Sequence, residues 1–232
     1  PMGISSNWLT GPAASGLGVK VGMTLRGGPS SFKGYEGYVF KTPMSDFTRS
    51  EHNLVDTRLD KDGKASLNVD MPAAENAPGM LTADIVTSVQ EPGGDFSFNT
   101  VSVPYSPYSS YVGVKIPREG DSYFIETDKD YKIGIAVVDR EGKPVAGDNL
   151  SYTIYKIKWS WWWESRDESL DSYVNGSSAE PVAGGELKSV KGALTVPFRV
   201  DYPDWGRYLV IVRDNDSGHL SGDVIYVDWP AY

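Results

Sequence analysis

Cysteine is absent from the 232-residue chain, and histidine occurs only twice. The first absence excludes a disulfide framework, a thiolate nucleophile and a cysteine-ligated zinc site. It leaves the compartment open, since exported and cytosolic chains alike can lack cysteine. His52 and His219 each sit in a polar stretch, which favours surface histidines over the base of a catalytic triad. No Gly-x-Ser-x-Gly elbow and no nucleotide-binding motif occurs. No apolar run reaches the roughly 18 residues of a membrane-crossing helix. Basic residues number 22 against 31 acidic ones, for a formal charge of −9, and no basic stripe interrupts the excess. Such a surface repels phosphate backbones and argues against nucleic acid as a partner. The chain starts at Pro1 rather than Met, so it reads as a piece excised from a longer polypeptide, from which any leader would be lost.

What the chain does contain is strand grammar, written twice. Leu17–Leu25, Ala65–Met71 and Met80–Gln90 alternate apolar with small or polar residues, as half-buried strands do. Phe96–Val103 pairs as the strand closing the first half, after the turn Glu91-Pro92-Gly93-Gly94. The Gly- and Tyr-rich stretch 32–40 reads as a long connection around a strand. In the second half Asp130–Asp139, Leu150–Trp163, Trp205–Arg213 and Asp223–Trp229 read as strands. Residues 164–185 read as a mobile polar excursion, with one or two helical turns available to Ser165–Tyr173. Two prolines in Val103–Ser110 mark an extended linker, and its Tyr105 and Tyr108 suggest that it packs onto a domain face. The expected fold class is all-β, two tandem antiparallel sandwiches over residues 1–106 and 107–232, each of workable core size.

Three features invite chemical readings. Asp60-Lys61-Asp62-Gly63 and Asp214-Asn215-Asp216-Ser217-Gly218 resemble the start of a calcium loop, but His219 and Ile225 stand where an EF-hand from Asp214 needs Gly and Glu. Asp and Gly are also what hairpin turns use, and that reading is preferred. Glu91, Asp95, Glu164 and Asp167 could supply a glycosidase pair, yet among 31 carboxylates solvated loop residues are the commoner case. The densest oddity is Lys156–Glu164: in an extended strand Trp159, Trp161 and Trp163 share one face and Trp162 takes the other. Tyr152 and Ile154 alternate out of phase with that face, which calls for a bulge. A planar platform of this kind could stack sugar rings, whereas packing in a core or against a neighbouring domain is the more frequent use of buried aromatics.

Several segments together resemble the bacterial branch of the alpha-2-macroglobulin family. They are Trp8–Leu17 with its Gly-Pro and Ser-Gly-Leu, then Phe32-Lys33-Gly34-Tyr35-Glu36-Gly37-Tyr38-Val39-Phe40, then Glu91-Pro92-Gly93-Gly94. Asp95 departs from the pattern, which places Arg there. Tyr111–Lys115, the Trp-rich strand, Asp204–Tyr208 and Asp228-Trp229 continue the likeness through nearly the whole chain. The resemblance implies two consecutive macroglobulin domains, the fifth and sixth, with fibronectin-III-like folds. It implies a parent that traps proteases in the periplasm, either free or lipid-anchored to the inner membrane, through a Cys–Gln thioester.

With no cysteine here, that reactive centre lies elsewhere, and no catalytic, cofactor-binding or metal-binding residue is carried over. The resemblance implies a mechanical scaffold, not an enzyme, whose partners are the adjacent macroglobulin domains and, through the whole protein, proteases. The residues singled out for packing or ligand contact are Trp159, Trp161, Trp162, Trp163, Tyr105 and Tyr108. The alternative is a carbohydrate-binding or adhesin module using the Trp159–Trp163 strand. If those indoles are core, Trp161→Ala lowers stability by a few kcal/mol in thermal unfolding; an unchanged midpoint, with indoles open to quenchers, favours the platform.

Overall fold

The computed structural model describes residues 1–44, 46–120, 122–158, 170–175 and 179–229. The chain forms two compact units. The first comprises Pro1–Gly28, Thr48–Asn76 and Leu81–Tyr105; the second comprises Pro29–Phe47, Ala77–Met80 and Ser106–Tyr232. The path therefore changes unit five times, the last between Tyr105 and Ser106.

The first unit holds β1 (Met2–Ser5), β2 (Gly18–Gly27), β3 (Ser50–Arg58), β4 (Lys64–Leu67), β5 (Leu81–Gln90) and β6 (Phe96–Tyr105). A four-stranded antiparallel sheet runs β3-β2-β5-β6, and β1 pairs with β4. Strand β2 shows why the sequence folds this way. Val19, Val21, Met23 and Leu25 are buried, and Lys20 and Arg26 on the opposite phase are exposed. Ala14, Val19, Leu59 and Val89 form a small core joined by Ile4, Leu17 and Ala65. Asp60 closes the β3–β4 turn by accepting from the Asp62 and Lys64 amides at 2.8 and 2.9 Å. Gly63 takes φ +67° there, where a Cβ would stand 2.5 Å from the Ser6 carbonyl oxygen.

The second unit holds β7 (Ser110–Lys115), β8 (Phe124–Glu126), β9 (Tyr131–Asp139), β10 (Gly147–Ile157), α1 (Leu170–Asn175), β11 (Pro181–Ser189), β12 (Ala193–Phe198), β13 (Gly206–Asp214) and β14 (Leu220–Asp228). Five strands in the order β11-β10-β13-β14-β8 face three in the order β12-β9-β7. Between them lies the main core, with Val112, Val114, Ile133, Ile135 and Val196 from one sheet and Ile154, Val210, Val212 and Ile225 from the other. A two-layer β-sandwich is the result. Asp139 repeats the Asp60 turn residue for residue, accepting from the Glu141 and Lys143 amides at 2.9 Å each. Asp214 uses its carboxylate on the Asp216 and Ser217 amides. All three acidic loops are thus hydrogen-bonded turns.

The all-β expectation holds, with specific departures. One pair, β8 with β14, is parallel. The expected linker at 103–110 is shorter than read, since β6 continues through Pro104 to Tyr105 and β7 begins at Ser110, which leaves residues 106–109 between the strands. Pro104 is tolerated because β6 is an edge strand, where a missing N–H breaks no ladder. Residues 181–185 are not a mobile excursion but the start of β11, paired with Tyr152–Tyr155 of β10. Their Gly184-Gly185 pair hides the alternation that announces a strand. The β10–β11 register shifts between Ile154 and Tyr155 because Val182 is an extra residue on β11, whereas β10 keeps one register with β13 from Leu150 to Ile157, so its described residues do not carry the expected reset. Strands β3, β8 and β12 lack clear apolar alternation and were not anticipated.

Gly113 on β7 has no room for a side chain, because an added Cβ would meet the Phe40 ring at 2.5 Å. Phe40 is fully buried and has nowhere to retreat. Gly113→Ala should therefore cost about 1–3 kcal/mol, lowering the thermal midpoint by roughly 2–12 °C. A midpoint equal to wild type in differential scanning calorimetry would mean that Phe40 is not seated there.

Candidate functional site

Among the described residues no group of three or more His, Asp or Glu side chains is placed to hold a metal. The most elaborate constellation is instead an anchoring site in the second unit. It is built where residues 29–44 cross the outer face of β7 and β9. In Phe32–Phe40 two tight turns follow each other, the Tyr35 amide donating to Phe32 O (3.2 Å) and the Tyr38 amide to Tyr35 O (3.1 Å). Those turns bring four aromatic rings together. Phe32 and Phe40 meet edge to face at 4.8 Å, Tyr35 and Phe40 at 5.8 Å, and Phe32 reaches Tyr111 at 5.6 Å. Ala136 and Val138 of β9 complete the cluster.

Backbone bonds then fix the segment's position along the strand. Val39 and Val114 exchange both amide bonds, at 2.8 and 2.9 Å, so Val39 caps the open edge of β7. From the other sheet, Ser221 Oγ donates to Val39 O at 2.6 Å. Met44 reaches a second apolar cluster, with Leu209, Ile211, Tyr155 and Leu170 of α1. One segment of about fifteen residues thus touches the outer faces of both sheets. Residues 77–80 support it, through the Thr42 amide on Pro78 O and the Met80 amide on Ser30 Oγ.

His219 lies at the centre. It is completely buried, which overturns the expectation of a surface histidine. The polar residues beside it in sequence belong to the Asp214 turn, which hid the fact that the chain turns inward at His219, one residue before β14 begins. Val112 N–H donates to His219 Nδ1 at 3.0 Å, so the proton of the neutral ring sits on Nε2. Tyr108 and Tyr111 pack against the imidazole with centroids 5.0 and 4.8 Å away and planes inclined by 65° and 60°. Burial pushes the histidine pKa down to about 4, against weaker opposite pulls from the Phe40 backbone and Asp214. Burial also raises the Tyr108 and Tyr111 phenols.

Of the residues singled out from sequence, Tyr108 belongs to this site, with its hydroxyl donating to Ala77 O at 2.6 Å. Tyr105 does not; it ends β6 in the first unit and donates to Pro72 O at 2.5 Å. Trp159, Trp161, Trp162 and Trp163 lie outside the described residues. Beside the described end of β10, at Ile157 and Lys158, Trp205 and Trp229 meet edge to face at 5.0 Å. With Phe124, Tyr226 and Val182 they line a groove of about 510 Å³. Sequence reasoning missed His219 and Gly113, and neither carries a local signal; both matter through contacts made far along the chain.

A family model for bacterial macroglobulin domain 6 matches residues 113–229, and one for the bacterial alpha-2-macroglobulin MG5 domain matches residues 1–107. The chain belongs to the bacterial alpha-2-macroglobulin family. Macroglobulin domains are a non-catalytic scaffold family. No curated protein matches the sequence. Among solved structures, trypsin-activated alpha-2-macroglobulin from Escherichia coli aligns with 98% of this chain at TM-score 0.61 and 15% identity. The native form of the Escherichia coli protein aligns with 99% at TM-score 0.53 and 16% identity. A Salmonella alpha-2-macroglobulin reacted with methylamine aligns with 98% at TM-score 0.52 and 17% identity. At these identities the likeness speaks for the fold alone. The macroglobulin pair spans only about 15% of either Escherichia coli chain and 16% of the Salmonella chain.

The buried imidazole makes the pair acid-sensitive. Unfolded, His219 titrates near 6.5; folded, near 4. Between those values the unfolded chain binds the extra proton, so this contribution is complete above about pH 6.5 and is lost as pH falls toward 4. The loss amounts to about 3 kcal/mol. Asp223, whose carboxyl burial pushes up, acts in the opposite sense at the acid end. Denaturant titrations at pH 7 and pH 4.5 should show the loss in wild type, and His219→Gln should flatten it. An equal pH dependence in the variant would clear His219 of the role.

Proposed function

We propose that this chain is a non-catalytic scaffold within a bacterial, periplasmic protease trap. The observation that carries the reading is the anchoring site. An aromatic segment that follows β2 in sequence is locked into the second unit by Phe40, Val39 and His219. A pair of beads on a flexible linker needs one chain passage between units, whereas here there are five. Extra passages and a desolvated aromatic anchor suit a part that transmits force, and they offer nothing to bond-breaking chemistry. The family's association with protease capture supplies the task that such a part would serve.

The reading is tested on the full-length parent. Mixed with trypsin, the parent should suppress cleavage of a large protein substrate while sparing a small chromogenic peptide. Methylamine treatment followed by intact mass and thiol counting then reports whether a thioester is present. The 232-residue chain alone should neither inhibit nor hydrolyse. Full trypsin activity on the large substrate in the presence of excess parent overturns the proposal.

A second reading keeps one specific observation, the groove of exposed aromatics at Trp205 and Trp229. Stacked sugar rings are the ligand such a corner would take. Indole fluorescence that shifts on adding oligosaccharide, and loses the shift in Trp205→Ala, would favour a carbohydrate-binding module over the scaffold.

A further inference from the structure

Acid acts on this fold through His219, and what gives way first is fixed by the surroundings of the ring. The side chain is fully buried, and its Nδ1 is the acceptor for the Val112 amide at 3.0 Å. Its Nε2 is buried too and finds no well-aligned partner among the described residues, although the Phe40 backbone lies near enough to favour a charged ring slightly. A second proton has to enter at Nδ1, since Nε2 already carries one. That proton sets N–H against the Val112 N–H. The amide loses its acceptor, and a cation stands among buried apolar and aromatic groups.

Among the described residues, nothing packed around the ring neutralises such a cation. Tyr108 and Tyr111 are phenols that burial keeps protonated, with their hydroxyls engaged by Ala77 O and Ser106 Oγ. Asp214, on the turn before the ring, holds its carboxylate on Ser110 Oγ and on the Asp216 and Ser217 amides. Its pull on the ring is weaker than the desolvation it opposes. Arg213 of β13 and Lys41 of the 29–44 segment are exposed cations and supply no counter-charge.

A charged ring therefore leaves by displacing one of its covers. β7 is held by β9 over Ser110–Lys115, and β13 by β14 over Gly206–Arg213. Residues 29–44 are held to these strands by far fewer bonds. Val39 and Val114 exchange two, Ser221 Oγ donates to Val39 O and Lys41 O, and the Gly222 amide reaches Lys41 O at 3.4 Å. Each of these lies within three residues of His219 or of Val112, and Gly113, whose gap seats Phe40, adjoins Val112. We propose that His219 is an acid-operated latch: a proton on Nδ1 breaks the bond to Val112, expels the ring and lifts residues 29–44 from β7 and β9 while the two sheets stay paired. The latch lies wholly within the second unit and is independent of the scaffold reading.

The test is native-state hydrogen exchange by NMR on the 232-residue chain, at pH 7 and pH 4.5 and across low guanidinium concentrations. The Val39 and Thr42 amides report the segment, and those of Ile135 and Val210 report the sheets. Release returns the ring from a pKa of about 4 toward 6.5, so protection present above pH 6.5 is lost as pH falls. Opening of the segment, corrected for intrinsic exchange, should be about fiftyfold more frequent at pH 4.5 than at pH 7. At pH 4.5 it should respond little to guanidinium, with protection about tenfold or more below that of Ile135 and Val210. His219→Asn keeps an acceptor close to the Nδ1 position and cannot titrate, so it should abolish the acid increase; His219→Gln is a second such variant. In wild type the ring nitrogen shifts, with His52 the only other histidine to resolve, should report a neutral Nε2–H ring down to pH 5. Three results overturn the proposal: Val39 and Thr42 exchanging only together with Ile135 and Val210, a ring that titrates near 6.5 in the folded chain, or an equal acid increase in the variants. The first two are read in wild type alone, whether or not the variants fold.

Discussion

The second unit depends on the burial of one ring, Phe40, against a strand position that has no side chain. Gly113 leaves the gap, the ring fills it, Phe32 and Tyr35 meet the ring edge to face, and Tyr111 joins the same cluster. Burying an aromatic of this size contributes on the order of 2–3 kcal/mol by area alone, before its ring contacts are counted. Without it, the outer face of β7 and β9 would present Ala136 and Val138 to water. Among the described residues no helix covers that face, and residues 29–44 supply the third layer that a two-sheet sandwich otherwise lacks.

Polar groups make this apolar anchor specific. Val39 satisfies both backbone groups of Val114, and Ser221 reaches the same residue from the opposite sheet. His219 gives the Val112 amide an acceptor that no ladder partner provides. Buried polar networks of this kind add little net energy but allow only one arrangement. A hydrophobic patch alone would let the segment slide by a residue. The hydrogen bonds to Val112 and Val114 forbid it.

Much of the fold was legible in the sequence, since strands with one wet face print their alternation directly. Val19, Val21, Met23 and Leu25 are the clearest case. The Asp60–Lys64 turn was equally plain, because the chemistry that closes it is contained in five residues. Strands β3 and β12 escaped because edge strands bury little and need no pattern. The residues at the anchoring site were visible as a run of aromatics at 32, 35, 38 and 40, yet not as a site. Their partners lie at 111–114 and 219–221, and no local property of His219 distinguishes a buried acceptor from a surface ring. Tyr108 was marked for its place beside prolines, and its contact with His219 was beyond what spacing could tell.

Sequence separation within the anchoring site bears on the order in which the molecule can assemble. The Ser221–Val39 bond spans 182 residues. At synthesis rates of about 5–20 residues per second, Val39 leaves the ribosome roughly 10–40 s before Ser221. During that interval Phe32, Tyr35, Tyr38 and Phe40 form a greasy loop with no surface to cover it, since even β7 is still to come. Strands of the first unit can pair around this loop while it waits. The loop therefore waits without its native surroundings until β7, β9 and Ser221 have been made.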